Sequence, residues 1–277
     1  MRALDTVMVY GGRPPSLGAQ LREVLAKREL LLAFVERDLK VRYKQTALGT
    51  VWAVLPSFLL MVVFSVFFGR FAKISSEGFP YPVFVYAGLL PWQFFSTAVS
   101  GATGSLYVHH NIISKVAFPR EILPLFHIFS AGVDFLIALG IFAVLLLYYG
   151  IPISWTALFV VPLLLIEIVF IGSLGLIFSI SNAYLRDVRY VVPFFLQVLM
   201  FSSPVVYSTQ NVPEWLRPIY LVVNPMATII DSFRQVILRR SMPDLSMLLV
   251  LTIVVSVLFV ISYRVFKAAE RNIADVV

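Results

Sequence analysis

The sequence predicts an all-α integral membrane protein, and three observations carry that expectation. First, 60% of its 277 residues are hydrophobic and 13% charged, with a mean hydropathy of +0.90. A soluble domain is nearer half apolar and about a quarter charged. Second, six apolar runs reach the roughly 20 residues that cross a hydrocarbon core. Third, the basic residues gather on one side of those runs, as the orientation of spans requires. A chain this apolar cannot cover itself with its own polar residues. That excludes a soluble enzyme and a disordered or nucleic-acid-binding tail. The net charge of +7 is therefore read as membrane topology, and no nucleic-acid partner is expected. The sequence holds no cysteine, so disulfides, thiolate metal sites and cysteine nucleophiles drop out together.

The whole chain, 1–277, reads as one transmembrane domain. Residues 1–44 are polar and carry no apolar core of signal-peptide type. Within 21–43, Leu21, Leu25, Leu32, Val35 and Leu39 recur at helical spacing, with Arg28, Glu29, Glu36, Arg37 and Lys40 largely elsewhere. This predicts an amphipathic helix in the inner interface, its basic side favoured by anionic membrane lipids. It serves either as an anchor alone or also as a contact for a cytoplasmic partner. The six spans are 48–68, 82–106, 126–149, 156–180, 188–207 and 245–266. The fifth holds Pro193 and Pro204, which spans tolerate where neighbouring groups satisfy the freed carbonyls. With the N-terminus inside, sixteen of the 22 Lys and Arg lie on the inner side. Both termini are then cytoplasmic.

Two further segments are neither spans nor ordinary loops. Residues 109–124, HHNIISKVAFPREILP, mix Ile112, Ile113, Val116 and Phe118 with Lys115, Arg120 and Glu121. A tight cytoplasmic turn needs only about 2–8 residues and no exposed Phe. A short helix with an apolar knob at Phe118 and a charged rim fits a socket on a partner. The adjacent His109 and His110 point in different directions on a helix and have no third ligand nearby, so no metal site is expected. On the outer side, 208–243 is too apolar for a free loop. Pro213 and Pro218 frame a short helix candidate at 214–217, with Trp215 at interface level. Met226, Ile229, Ile230, Phe233, Val236 and Ile237 share one face of a second helix, with Asp231, Arg234 and Gln235 on the other side. A hairpin re-entering the outer leaflet before the last span, or two helices lying flat on the surface, accounts for this pattern equally.

The motifs of catalysis are missing. There is no G-x-x-x-x-G-K-[ST], H-E-x-x-H or G-x-S-x-G, so no catalytic residue is assigned and the chain cannot hydrolyse ATP by a P-loop. Asp134 and Glu167 are the acids inside spans, and a carboxylate placed there at such cost is a functional candidate by default. An ion-coupled carrier would need a basic partner at midplane, and no span centre holds Lys or Arg. The 24 Phe, 12 Tyr and 4 Trp are the unusual inventory. Most would face lipid or core, but aromatic faces also suit the apolar faces of sugar rings, and Tyr adds a polar tip.

At 37–56, RDLKVRYKQTALGTVWAVLP, the sequence resembles the opening of the membrane subunit of polysaccharide-exporting ABC transporters, the family that exports O-antigen, capsular polysaccharide and teichoic acid. KVAFPREILPL at 115–125 resembles its cytoplasmic coupling helix, and NPMATIIDSFRQVIL at 224–238 its outer segment before the last span. The resemblance implies a permease subunit in a bacterial inner membrane, paired with a second copy of itself. Two separate ATP-binding cassette subunits would hold ATP and Mg, and this chain would bind no cofactor of its own. The cargo would be a lipid-linked polysaccharide, nearer O-antigen or capsule than teichoic acid. Glu36, Arg37, Asp38 and Lys40, with Lys115, Val116, Phe118, Arg120 and Glu121, would then meet the ATPase. Neighbouring helices sit about 8–10 Å apart, so one copy has no room for a sugar chain and the channel should lie between two. Trp52 and Phe58 of the first span and Phe194, Phe195, Phe201 and Tyr207 of the fifth are expected to line it. Trp215, Met226, Ile230 and Phe233 would belong to the outer gate. A secondary transporter and a membrane enzyme acting on lipid-linked sugars are the rival readings.

Overall fold

A computed structural model describes residues 17–270 apart from 45, 47, 48, 114 and 117, and omits the side chains of 17, 20 and 21. The expectations placed on residues 1–16, on Leu48 and on the side chain of Leu21 therefore lie outside the described residues, as do Arg2, Arg13 and Arg271 among the sixteen basic residues assigned to the inner side. Every regular element described is a helix. In chain order they are α1 (Leu17–Ala26), α2 (Arg28–Tyr43), a 3-10 turn (Gly49–Ala53), α3 (Leu55–Phe64), α4 (Tyr81–Val108), α5 (His110–Ile113) and α6 (Ile122–Tyr148). There follow α7 (Val160–Tyr184), α8 (Val188–Ser202), α9 (Arg217–Val223), α10 (Pro225–Ile237) and α11 (Leu245–Glu270).

Four helices are long and apolar enough to cross a membrane: Tyr81–Val108, Ile122–Tyr148, Trp155–Tyr184 and Leu245–Glu270. The first and fifth expected spans appear as the shorter apolar helices Leu55–Phe71 and Val188–Ser202, and proline chemistry explains both. Pro56 sits in the first turn of α3, where its missing N–H costs nothing, so the helix starts there rather than at 48. Beyond Phe64 the chain widens into a π-helical stretch, Ser65–Phe71. At the other site, Pro204 biases the residue before it toward extended backbone. Ser203 is accordingly extended, at φ −97° and ψ 152°, and α8 stops at Ser202.

The core is built around α4, which is buried along most of its length and packs against α3, α6, α7, α8 and α10. A second, smaller cluster closes the end of the bundle that holds α1, α2 and the end of α11. There Val24, Leu31, Phe34 and Val35 of α1 and α2 meet Leu106, Leu123, Phe126, Tyr263 and Phe266. Helix α2 does not lie flat across the base of the bundle. Its last turn reaches Asp134, twelve residues in from Ile122, or about 18 Å along α6 at 1.5 Å per residue.

At the other end of the bundle, the helix expected at 214–217 forms instead as α9. Pro218 falls in its first turn, so this proline starts the helix rather than ending it. Asn224 then caps α10 by accepting a hydrogen bond from the Ala227 N–H at 3.2 Å, and Pro225 occupies the first turn.

Candidate functional site

At the end of the bundle that holds α1 and α2, the loop between α5 and α6 turns its charges inward. Glu121 is only 1% exposed; it accepts a hydrogen bond from the Tyr263 hydroxyl at 2.7 Å and pairs with Lys267 Nζ at 2.5 Å. Arg120 donates to the Glu270 carbonyl at 2.5 Å. The charged rim expected at these two positions is thus a set of bonds to the end of α11, made through one oxygen of Glu121 and the guanidinium of Arg120. Phe118 is half-buried, its ring 6.4 Å from that of Phe34 on α2. Phe34 also stacks on Phe126 at 5.4 Å, so α2 and the loop share one aromatic contact. Lys115 and Val116 are exposed. On α2, Glu36, Arg37 and Lys40 face outward, and Glu36 pairs with Lys40. The hydrogen bond and charge of Lys40 hold the Glu36 carboxyl below its ordinary value.

Asp38 behaves differently. It accepts from Arg42 at 2.6 Å, and Arg42 also donates to Asp134 at 2.7 Å. The Tyr43 hydroxyl donates to the second oxygen of Asp134 at 2.5 Å. Asp134 therefore does have a basic partner, supplied by α2 and not by a span centre. Its sequence signal was the Asp38/Arg42 spacing of four in the last turns of α2. Glu167 is buried on α7, and neither of its carboxylate oxygens has a hydrogen-bond partner among the described residues.

The opposite half of the bundle is organised by the break after α8. A non-helical segment inside a membrane protein must have its carbonyls satisfied by other groups. Arg234 does most of this. It donates to Pro204 O at 2.6 Å, Val205 O at 2.6 Å, Tyr207 O at 3.0 Å and Phe84 O at 3.1 Å. Its guanidinium also lies 3.7 Å from the Phe84 ring centroid. Tyr81 donates to Val206 O, and Tyr220 to Ser202 O, each at 2.8 Å. Arg234 is 1% exposed and so does not belong to the polar side of α10, as its sequence position implied. Four residues beyond Ile230 is a turn of about 40°, which leaves Arg234 at the edge of the apolar face. Gly88 makes the room: a Cβ there would stand 2.6 Å from Arg234 Nη2 and 2.9 Å from Val205 O.

Met226, Ile230 and Phe233 are buried against the bundle, while Trp215 is exposed. Outside them lies a charged cluster. Arg239 donates to both oxygens of Glu77, at 2.6 and 2.7 Å, and to Asp231 at 3.1 Å. Ser208 also donates to Glu77, and Thr209 donates to Asp231 at 2.8 Å. Burial alone would raise the Glu77 carboxyl. The bonds from Arg239 and Ser208 and the Arg239 charge outweigh it and hold the group below its ordinary value. For Arg239 burial acts downward, but Glu77 and Asp231 hold it above its ordinary value.

The aromatics expected along a channel are turned away from this chain's own core. Phe194 is 67% exposed, and Trp52, Phe58, Phe195 and Phe201 are exposed with it. On α8, Val191, Phe194, Phe195, Val198 and Phe201 form one outward face, opposite the buried Val192 and Leu196. Tyr207 differs, being half-buried and bonded through its hydroxyl to Ser202 O and Tyr220.

Residues 29–238, from the first turn of α2 to the end of α10, match the family described as ABC-2 type transporter. The chain belongs to the ABC-2 type transporter family. It is similar to the O-antigen export system permease protein RfbA of Myxococcus xanthus, with 29% identity over 256 residues, covering 92% of this chain and 98% of that protein. A Klebsiella pneumoniae protein of the same name is 27% identical over 249 residues, 90% of this chain and 95% of its own. The polysialic acid transport protein KpsM of Escherichia coli is 24% identical over 217 residues, 73% of this chain and 78% of its own. Arg37 and Arg42 of α2, Arg120, Glu121 and Arg234 all fall inside the ABC-2 match.

Proposed function

We propose that this chain is the permease subunit of an ATP-driven exporter of a lipid-linked polysaccharide, of the O-antigen or capsule type, in a bacterial inner membrane. The observation that carries the reading is its similarity to O-antigen export permeases over nearly the full length of both chains. Two copies would assemble with two ATPase subunits, which supply the P-loop that this sequence lacks. Six crossings, with both termini in the cytoplasm, follow when the shorter helices Leu55–Phe71 and Val188–Ser202 are counted as spans in the pair.

The geometry supports a route for the ATPase stroke. Lys115 and Val116 are exposed for a partner, while Phe118, Arg120 and Glu121 tie the underside of the loop to α2 and α11. Closure of an ATPase pair against this loop would be felt by both helices at once. Inactivating the chain in its host should abolish surface polymer, seen with a polymer-specific lectin or antibody, while lipid-linked polymer accumulates inside. Normal surface polymer in such cells would overturn the reading. Ion-coupled transport draws on one observation, the Arg42–Asp134 pair. Export that stops on ATP depletion with the proton gradient intact separates the two.

A further inference from the structure

A cavity of ≈ 160 Å³ lies between the end of α2, the turn before α3, and the middles of α4 and α6. It is several times the roughly 30 Å³ that one water occupies in the liquid. Its walls carry Arg42, Tyr43, Trp52, Gln93, Thr97 and Asp134. Gln93 stands twelve residues from the outer end of α4, and Asp134 twelve from the cytoplasmic end of α6. Each is therefore about 18 Å from its own end, near the middle of a hydrocarbon core about 30 Å thick. A gap at that depth with only packing to serve has no reason to collect an amide, a hydroxyl and a charge cluster.

The charges decide which class of ligand fits. Asp38 and Asp134 share the single guanidinium of Arg42, leaving one carboxylate uncompensated when both are ionised. A phosphate or an acidic sugar would be repelled. Hydroxyl groups would not be, since they donate to Asp134 and exchange both kinds of bond with the Gln93 amide. Gln93 holds Thr97 only through a long contact of 3.4 Å, so its amide is available to turn toward a ligand. Trp52, 48% exposed at the cavity edge, offers an apolar face to the C–H side of a sugar ring. An apolar wall with a few placed polar groups is the usual make-up of a small-ligand site.

We propose that this cavity binds a neutral, hydroxyl-rich sugar unit, with Asp134 and Gln93 contacting its hydroxyls and Trp52 stacking on its ring. Arg42 and Tyr43 are positioning residues that hold Asp134. The proposal rests on the polysaccharide-export reading above and places one contact of the cargo inside a single copy.

The absence of native cysteine makes the test direct. Thr97→Cys is introduced into the chain in its full transporter, and membranes are treated with a small hydrophilic thiol reagent. One set comes from cells making their polymer; the other comes from cells blocked before the first sugar, which retain the bare lipid phosphate. Labelling should be at least tenfold slower when polymer is present, and Asp134→Asn or Trp52→Ala should restore the fast rate. Gln93→Ala, which breaks no ion pair, should do the same if Asp134→Asn inserts poorly. Equal labelling in both sets means the cavity holds water only and overturns the proposal. So does slow labelling in both sets, or protection that survives all three substitutions. A failure of the export reading shows separately, as unchanged surface polymer in cells lacking the chain.

Discussion

Arg234 shows how much one side chain can settle. Its planar fork reaches carbonyls of α4 and of the break after α8 together, a geometry that the compact ammonium of lysine cannot copy. Arg234→Lys should orphan at least one buried carbonyl, at about 1–3 kcal/mol, and lower the thermal midpoint of the detergent-purified protein. Gly88→Ala acts on the same contact from the other side, since the new Cβ would crowd both Nη2 and Val205 O. Overpacking of this kind costs about 1–3 kcal/mol, so the two variants should shift the midpoint in the same direction. Because they share a contact, their effects should fail to add; full additivity in the double variant would argue against the shared contact. Glu121 makes the matching case at the opposite end of the bundle. Glu121→Gln keeps an acceptor for Tyr263 but strips Lys267 of one of its two carboxylate partners, the other being Glu270 at 2.8 Å, a loss below the roughly 3–5 kcal/mol of leaving a buried charge with no partner. The expected outcome is a transporter that still assembles and still hydrolyses ATP but exports less polymer, measured at matched protein level.

At the scale of elements, the outer cluster joins the loop after α3 to the segment after α8 and to α10. These are the pieces that must part if the outer mouth opens. Arg239→Ala should loosen them, and a cysteine placed at Ser76 should then react faster with an impermeant thiol reagent. The pH dependence follows from Glu77. Its carboxyl lies below the ordinary 4.5 in the folded chain, so its contribution is complete above that value and is lost as pH falls through the depressed one. Accessibility should therefore stay flat from pH 7 to about 5 and rise only in stronger acid. A rise between pH 7 and 6 would implicate another group. Helix α2 presents the opposite situation, with Arg37 and Lys40 on its free side. Reversing both charges, Arg37→Glu with Lys40→Glu, should leave the fold intact and weaken co-purification of the ATPase. Undiminished recovery would make the helix an anchor only.

For the whole molecule, α4 is surrounded while α3 and α8 are each covered on one side only. Both expose aromatic rows that a single copy leaves bare. Two copies meeting through these faces would enclose an aromatic-lined passage. Single cysteines at Phe58 and Phe194 should then be joined between copies by a flexible bifunctional thiol reagent able to cross the passage, whereas cysteines on the outward side of α11, at Leu249 or Val257, should not. Crosslinks of equal yield at all four sites would mean random collision in the membrane.

The sequence by itself determined the helical class, the membrane environment, the family and the approximate positions of the long helices. The class, the environment and the helix positions follow from composition or local periodicity, which are properties of neighbouring residues; the family follows from the motif stretches at 37–56, 115–125 and 224–238. The same local chemistry explains the start of α9 at Pro218 and the stop of α8 before Pro204, once each proline is read for the conformation it imposes. Only the tertiary structure decided where the charges go. Arg42 finds Asp134 92 positions away, Tyr263 finds Glu121 at 142, and Arg234 finds Phe84 O at 150. A helical wheel says which face of a helix a residue occupies, but not what stands opposite. A charged residue at the edge of an apolar face is a surface group until a gap such as the one at Gly88, and a broken helix beyond it, turn it into the plug of a buried site.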